Sequence, residues 1–468
     1  MNDVTANLPV DPDALARFDR AAPRYTSYPT APNFTKEFGP ENWSQALKQA
    51  SEEPDAPLGL YVHVPFCHVM CTYCACNTWI PSGTAIVDRY LNALEQEFAM
   101  VAERLGKRRT LAQMHWGGGT PNYLDDDKTR WLMDLIRSHF TFADGAEVAL
   151  EVHPSYMSVE RTNLYAELGF NRISMGVQDF DPKVEQAIGR PQTVEETRRV
   201  IEVARDHGFK GINMDLVYGL PFQTEETLAR TLDHVIDLAP DRLATYSFAY
   251  VPWVKGHQKQ IDIDTCAAGR DKWVLFSMLH NRLVEAGYRP IGMDHFARPD
   301  DELARAQSEN RLRRTFQGYT VLPAKDILGI GISSISNTAG VWAQNVKSFR
   351  GYCQAIEDGH LATERGVACS QDDHIRRHVI EDLMCNFRID WDRLSKQFNL
   401  DVRAHVQASL ENLSKNPEGD FITEQDNVLL LKPEGRPFVR NVAMLFDAYL
   451  PDQDTGGQDG TPRFSKSI

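Results

Sequence analysis

Four of the chain's eight cysteines, Cys67, Cys71, Cys74 and Cys76, fall close together. The first three read Cys67-x3-Cys71-x2-Cys74. Thiolates spaced in this way can wrap one face of a 4Fe–4S cubane, occupying three irons and leaving the fourth without a protein ligand. An open metal position of that kind can bind a small ligand directly. Two other chemistries use clustered cysteines. A structural zinc site pairs two separated Cys-x2-Cys elements, but no later Cys/His knuckle is available to pair with Cys76. A thioredoxin-like Cys71-Thr-Tyr-Cys74 dithiol would open a helix after a strand and would have no use for Cys67. The spacing favours the cluster. Cys266, Cys353, Cys369 and Cys385 are scattered and read as small buried hydrophobes.

Other polar residues fall at the ends of apolar runs. In the string HWGGGTP, Gly117, Gly118 and Gly119 allow close backbone approach, and exposed amides there could hold a charged ligand group. A plain tight turn is the alternative. Glu151, Gln178 and Asp215 close otherwise apolar stretches, where a carboxylate is costly to bury without a partner. Each could instead cap a helix or pair with a neighbouring arginine.

These residues need a frame. Strand-like runs occur at Leu58–Pro65, Leu111–Gly118, Glu147–Pro154, Arg172–Gln178, Gly211–Pro221 and Arg242–Tyr250. Helical periodicity separates them at Ile86–Leu105, Lys128–Phe140, Val159–Leu168, Val194–His207 and Glu225–Leu238, with a further helix at Arg270–Ala286. Six strand–helix units in succession predict an α/β fold with a parallel sheet and right-handed crossovers. The first cysteine follows the first strand, on the face where barrel loops converge. Arg289–Pro299 and Asp326–Ser336 read as irregular sheet extensions, so a partial (β/α)6 barrel is expected rather than a closed one. The expected division is residues 1–51 as an N-terminal arm covering the active site, 52–290 as the core barrel, 291–365 as a sheet extension and substrate-pocket segment, and 366–468 as a mainly helical, winged-helix-like C-terminal domain. The stretch 451–462 (PDQDTGGQDGTP) reads as a mobile tail.

With a formal net charge of −15 and a pI near 5.4, general binding to nucleic acid is not expected. The start of the chain has no basic or apolar targeting region, and no run approaches the ~18 apolar residues of a membrane span. A cytoplasmic protein without a membrane span is the expectation, with monomer as the oligomeric state.

The cysteine spacing is the signature of the radical S-adenosylmethionine (SAM) superfamily. The longer string YVHVPFCHVMCTYCACN resembles one of its families, the oxygen-independent coproporphyrinogen III oxidases. The resemblance spans nearly the whole chain, through PRYTSYPTA, HWGGGTP, EVHP, MGVQDF, NMDLVYGLP, GMDHFARPDDELA, FQGYT, LGIGISSIS, CNFR and RNVAMLFD. It implies one 4Fe–4S cluster on Cys67, Cys71 and Cys74 with one iron free of cysteine. It assigns Tyr61, Gly118, Glu151 and Ile335 to the SAM on that iron. A second SAM is assigned to Tyr73, Gly119, Thr120, Gln178, Arg190, Asp215 and Ala249. His153 departs from the family's usual Asp or Asn and leaves Glu151 untouched.

The chemistry so implied is reductive SAM cleavage, hydrogen abstraction from a propionate of coproporphyrinogen III, and loss of carbon dioxide to leave a vinyl group. Two rounds give protoporphyrinogen IX, with electrons from a donor of the flavodoxin or ferredoxin type. The substrate's propionates call for cations, for which Arg24, Arg298, Arg311, Arg313, Arg314 and Arg388 are candidates. Tyr25 and Tyr28 could stack on the tetrapyrrole or be ordinary docking aromatics. A haem-carrying chaperone of the superfamily is the alternative, but it has an aromatic residue in place of Cys76 and lacks the PRYTSYPTA arm.

Overall fold

The computed structural model describes residues 17–321, 324, 326–450 and 464. The expected mobile stretch 451–462 lies outside the described residues, as do residues 1–16 of the arm. Each apolar run of the first two-thirds forms a strand: β1 (Leu58–Val64), β2 (Thr110–Gly118), β3 (Thr141–Val152), β4 (Arg172–Gln178), β5 (Gly211–Tyr218) and β6 (Arg242–Ser247). They lie parallel in sequence order. Helix α1 (Pro40–Ala50) precedes β1, and α2 (Thr84–Leu105), α3 (Asp126–His139) and α4 (Val159–Glu167) cross between strands. Two helices, α5 (Pro182–Ile188) and α6 (Val194–Asp206), follow β4. Then come α7 (Glu225–Leu238) and, after β6, α8 (Gly269–Glu285). The crossovers bury one apolar face on the sheet and cap their own ends. In α6, the Thr193 hydroxyl accepts from the Glu196 amide while Glu196 accepts from the Thr193 amide.

The sheet extensions turn out to be regular. Asp326–Ile330, here β11, pairs parallel with β1 from Leu58↔Asp326 to Val62↔Ile330. It therefore supplies a seventh parallel strand, and the expected six-unit barrel gains one. No helical crossover leads directly into β11, which is why strand–helix counting missed it. Beyond it β12 (Ile335–Thr338), β13 (Val341–Asn345) and β14 (Thr363–Ala368) add antiparallel strands. At the far edge β7 (Arg289–Gly292) and β8 (His295–Ala297) form a hairpin on β6, while β9 (Arg313–Thr315) and β10 (Gly318–Thr320) pair as a separate two-stranded sheet. The order β14-β13-β12-β11-β1-β2-β3-β4-β5-β6-β8-β7 leaves the barrel open. The boundaries expected at 290/291 and 365/366 fall inside β7 and β14, where ladder hydrogen bonds continue across them.

The C-terminal part mixes helices with a three-stranded antiparallel sheet of Arg388–Asp390, Val428–Leu431 and Ile422–Gln425. Its apolar core includes Ile375, Leu383, Trp391, Val442 and Phe446, together with Tyr25 and Tyr28 of the arm. The arm is thus built into this core. Tyr25 Oη donates to Asp447 at 3.0 Å, and Tyr28 Oη accepts from the Ala448 amide at 2.9 Å. The two tyrosines are docking aromatics.

Candidate active site

One cleft at the carboxyl ends of β1–β5 gathers Cys67, Cys71, Cys74, Tyr73, Gly118, Gly119, Thr120, Glu151, Gln178, Arg190 and Asp215, with Cys76 beside them. Below it a larger cavity runs into the barrel and shares Glu151 and Asp215 as its roof. The period of two along a strand explains the grouping: His115 of β2, Glu151 of β3, and Asn213 and Asp215 of β5 all face this interior.

All eight cysteines are free thiols. Among the described residues no three His, Cys, Asp or Glu side chains gather closely enough to hold a single metal ion. Cys67 hydrogen-bonds Thr120 Oγ1 at 3.6 Å, and burial pushes its pKa up to about 12. The Cys74 pKa is lowered to about 6, because the Cys76 thiol and amide both donate towards its sulfur, the amide at 3.4 Å.

The loop carrying these thiols is held from two sides. Its Thr72 amide and hydroxyl bond the Ile188 and Ala187 carbonyls at the end of α5. Gly189, in the left-handed region at φ 66°, ends that helix and turns the chain into Arg190. Arg190 Nε and Nη2 donate to the Gly176 carbonyl at 3.0 and 2.6 Å, and Nη1 points at Cys71 Sγ at 3.6 Å. On the other side, Gln258, His257 and Lys255 bond the carbonyls of Tyr73, Cys74 and Cys76 at 2.8, 2.7 and 2.7 Å. Sequence reading missed α5 and this brace, since no local pattern marks residues that meet a loop so far along the chain.

Glu151 is the hub of the polar face. Its Oε1 meets His115 Nε2 at 3.0 Å, and its Oε2 accepts from the Gly118 amide at 3.2 Å. Burial alone would raise its pKa, but His115 and that amide hold it below the usual range. Tyr61 stacks nearly parallel on His115, with ring centres 6.0 Å apart. The Asn77 carbonyl can only accept, so His63 Nε2 carries the proton of their 2.9 Å bond, and His63 Nδ1 accepts from Tyr61 Oη at 3.1 Å. His63 and His115 were readable as alternate positions in YVHVP and HWGGG, the one local signal for them.

The three glycines serve close approach within the protein. A Cβ at Gly117 would meet Glu151 at 2.7 Å, one at Gly118 (φ 115°) the His63 ring at 2.5 Å, and one at Gly119 the Pro65 backbone at 2.5 Å. The amides of Gly118, Gly119 and Thr120 already bond Glu151, Val64 and Phe66. The expectation of exposed amides is corrected: these donors are spent on joining β2 to the cysteine loop and to Glu151.

Asp215 is a poised carboxyl. Burial first and the Glu151 charge second raise its pKa to about 7, although Asn213 Nδ2 donates to it at 2.8 Å. Gln178 takes φ 72° at a register shift in β4. His153 is buried and its pKa falls to about 2, so it is neutral; its Nδ1 accepts from the Ser155 amide.

Tyr61, Ile335 and Ala249 lie outside the cleft lining. Ile335 begins β12 beside Gly329, which pairs with Tyr61. Ala249 follows β6 and accepts from Gln258 Nε2 at 3.2 Å, the same side chain that holds Tyr73. Among the candidate arginines, Arg298, Arg311, Arg313 and Arg388 form partly exposed ion pairs with acidic neighbours. Arg24 pairs with Asp294 at 2.7 Å and lies over Tyr246, and Arg314 lies over Tyr319; both tyrosines line the inner cavity.

Comparison with known proteins places this geometry. A radical SAM superfamily profile matches residues 61–235, and a HemN C-terminal domain profile matches residues 369–438. The chain is 40% identical over 443 residues to the oxygen-independent coproporphyrinogen III oxidase of Pseudomonas aeruginosa, covering 94% of this chain and 96% of that one. It is 40% identical to the Escherichia coli enzyme of the same name, over 93% of this chain and 94% of that one. The solved structure of coproporphyrinogen III oxidase (HemN) from Escherichia coli, described as a radical SAM enzyme, superposes with a TM-score of 0.89 at 39% identity, covering 95% of this chain and all of that one.

Proposed function

Since this chain belongs to the oxygen-independent coproporphyrinogen III oxidase family of radical SAM enzymes, we propose that its cleft holds the cluster on Cys67, Cys71 and Cys74 and leaves one iron open for SAM. The enzyme carries out oxidative decarboxylation of two propionates of coproporphyrinogen III to vinyl groups, yielding protoporphyrinogen IX for haem synthesis. A 4Fe–4S cluster and SAM are its cofactors. The observation that carries the reading is the cleft itself, in which three free thiols share one space with Glu151, Arg190 and Asp215. These residues fit such a group.

Bound there, the cluster and SAM supply the one-electron cleavage that begins hydrogen abstraction. The chain's own residues bind and orient. Glu151, ionised and aimed by His115, suits an ammonium group. Arg190 suits a carboxylate and also places positive charge beside the Cys71 sulfur. Arg24 and Arg314, behind the inner cavity, are the arginines best placed towards propionates. The donor is a reduced carrier of the flavodoxin or ferredoxin class, and the enzyme works as a cytoplasmic monomer. No helix among the described residues is long and apolar enough to cross a membrane. Anaerobic incubation with dithionite, SAM and coproporphyrinogen III, followed by product analysis, tests the activity. Absence of both protoporphyrinogen and 5′-deoxyadenosine would refute it.

A second SAM beside Tyr73, Gly119, Thr120, Gln178, Arg190, Asp215 and Ala249 would serve the second decarboxylation. Asp215→Asn and Arg190→Ala are then expected to keep the cluster, lower the number of labelled SAM molecules bound at saturation and impair turnover. Unchanged stoichiometry with lost activity would assign these residues to the substrate instead.

The pH dependence follows from Asp215. Its raised pKa leaves it charged on the alkaline side of about 7 and neutral below. A sulfonium cation favours the charged form, so wild-type stoichiometry is expected to fall from about pH 8 to about pH 6, while Asp215→Asn stays low and flat. Equilibrium binding across that range is the check, and a flat wild-type profile would separate SAM binding from Asp215.

A further inference from the structure

Among the described residues, ten large apolar side chains are exposed, and Val69, Met70, Trp79 and Ile80 are four of them; Trp253 and Val254 are two more. Val69 and Met70 are exposed where they line the cleft, and Trp79 and Ile80 are exposed outside its lining. The two stretches carrying them run together: Phe66 and Trp79 form a backbone bridge, the Cys67 amide donates to the Trp79 carbonyl at 3.1 Å, and the Thr78 hydroxyl donates to Met70 Sδ at 3.6 Å. Trp79 stacks on Phe349 at 5.2 Å, which gives the patch a firm floor. Val254 adjoins Lys255, the residue that braces Cys76. Exposed apolar residues scattered singly are ordinary, whereas a contiguous group beside a redox site marks an interaction surface.

Positive charge borders the patch. The Lys347 carbonyl accepts from Asn77 at 3.1 Å, which brings that exposed lysine to the cysteine loop. Burial of its stem, then the charges of Arg365 and Lys255, lower the Lys347 pKa, with Glu364 opposing them. Arg350 is exposed in the first turn of the helix that begins at Phe349. On a chain of net charge −15, this local basic rim is out of character.

We propose that Val69, Met70, Trp79 and Ile80, rimmed by Lys347 and Arg350, form the docking surface for a small acidic one-electron carrier protein. The proposal rests on the radical SAM reading, since only a cluster on this loop needs an electron delivered here. The carrier loses one electron and is oxidised; the cluster gains it and is reduced; no bond forms between the proteins. The loop lines the cleft with Glu151, Arg190 and Asp215, Val69 and Met70 stay exposed within that lining, and Trp79 and Ile80 continue the exposed apolar surface beyond it, so a partner seated there lies directly against the cysteine loop. Electron-transfer encounters use small interfaces, below roughly 1,200 Å², in which charge steers and a few apolar contacts hold. The apolar patch and basic rim match that pattern and complement an acidic partner.

The competing occupant is the substrate, whose propionates could use the same cations. Lys347→Glu/Arg350→Glu and Ile80→Asp separate the two; Lys255 is left intact because it braces the loop. The holoenzyme is titrated with an acidic bacterial flavodoxin by calorimetry, and turnover is measured with dithionite and with reduced flavodoxin. Flavodoxin Kd is expected to weaken by about tenfold in each variant and more at low salt, with dithionite-driven turnover and cluster absorbance unchanged. Unchanged Kd, or a wild type that binds no flavodoxin, overturns the proposal. A fall in dithionite-driven turnover reassigns the patch to the substrate and overturns it as well. Failure of the radical SAM reading would look different, because the wild type would then release no 5′-deoxyadenosine even with dithionite.

Discussion

Serine in place of Cys67, Cys71 or Cys74 is expected to remove the cluster's visible charge-transfer absorbance and reduce SAM cleavage to background. Cys76→Ser is expected to retain iron. On the proposed reading the first three thiols hold the cluster, and a fourth thiolate would fill the iron proposed for SAM. Cys76 is exposed and acts on Cys74 through two donors, its thiol and its amide at 3.4 Å. A serine hydroxyl preserves the first donor, and the amide survives any substitution. Cys76→Ala, which loses the side-chain donor, should cost no more than on the order of tenfold in cluster retention, the low end for outer-shell partners. Iron and sulfide analysis with visible spectra after anaerobic reconstitution is the measurement. An iron-free Cys76→Ser protein would make Cys76 a ligand and close the open site.

Removing residues 1–35 should leave the cluster loaded but loosen the C-terminal domain. Among the described residues the main barrel core draws nothing from that segment; its first members along the chain are Phe38 and Trp43. The second core, by contrast, contains Tyr25 and Tyr28, and Phe18 packs with Phe438 and Trp273 in a third. Truncation also takes Arg20 from buried Glu418, and Arg24 from buried Asp294, which keeps only its His295 ion pair. Tyr28→Ala isolates the packing contribution. Tyr28 is 2% exposed, and losing a buried large aromatic typically costs roughly 3–5 kcal/mol. Urea unfolding should show that loss with cluster absorbance retained at low denaturant. A wild-type midpoint for Tyr28→Ala would mean that the arm contributes no packing energy. Turnover should vanish in the truncated protein, because Arg24 lies over Tyr246 at the inner cavity. Full protoporphyrinogen synthesis by that protein would remove the arm from the active-site cover.

Much of this molecule is legible locally. Alternation and 3.6-residue periodicity marked β1, β2, β4, β5 and β6 within a few residues, since burial on a sheet imposes those periods directly. The cysteine spacing that suggests a cluster lies within one loop, and its place after β1 puts that loop at the carboxyl ends of the parallel strands.

Tertiary structure decided what depends on residues distant in sequence. Arg190 meets Cys71 across 119 positions, Lys255 meets Cys76 across 179, and Tyr25 meets Asp447 across 422. No periodicity records such pairs, because each partner satisfies its own local pattern equally well without the other. The same holds for the spent amides of Gly118 and Gly119 and for the parallel pairing of β11 with β1. The residue types alone left open whether those glycines faced a ligand or the protein, and whether the arm's tyrosines stacked on substrate or on the C-terminal core. Packing decided the tyrosines, which fill the C-terminal core, and it shows that Gly118 lines the cleft with the His63 ring against it where a Cβ would be.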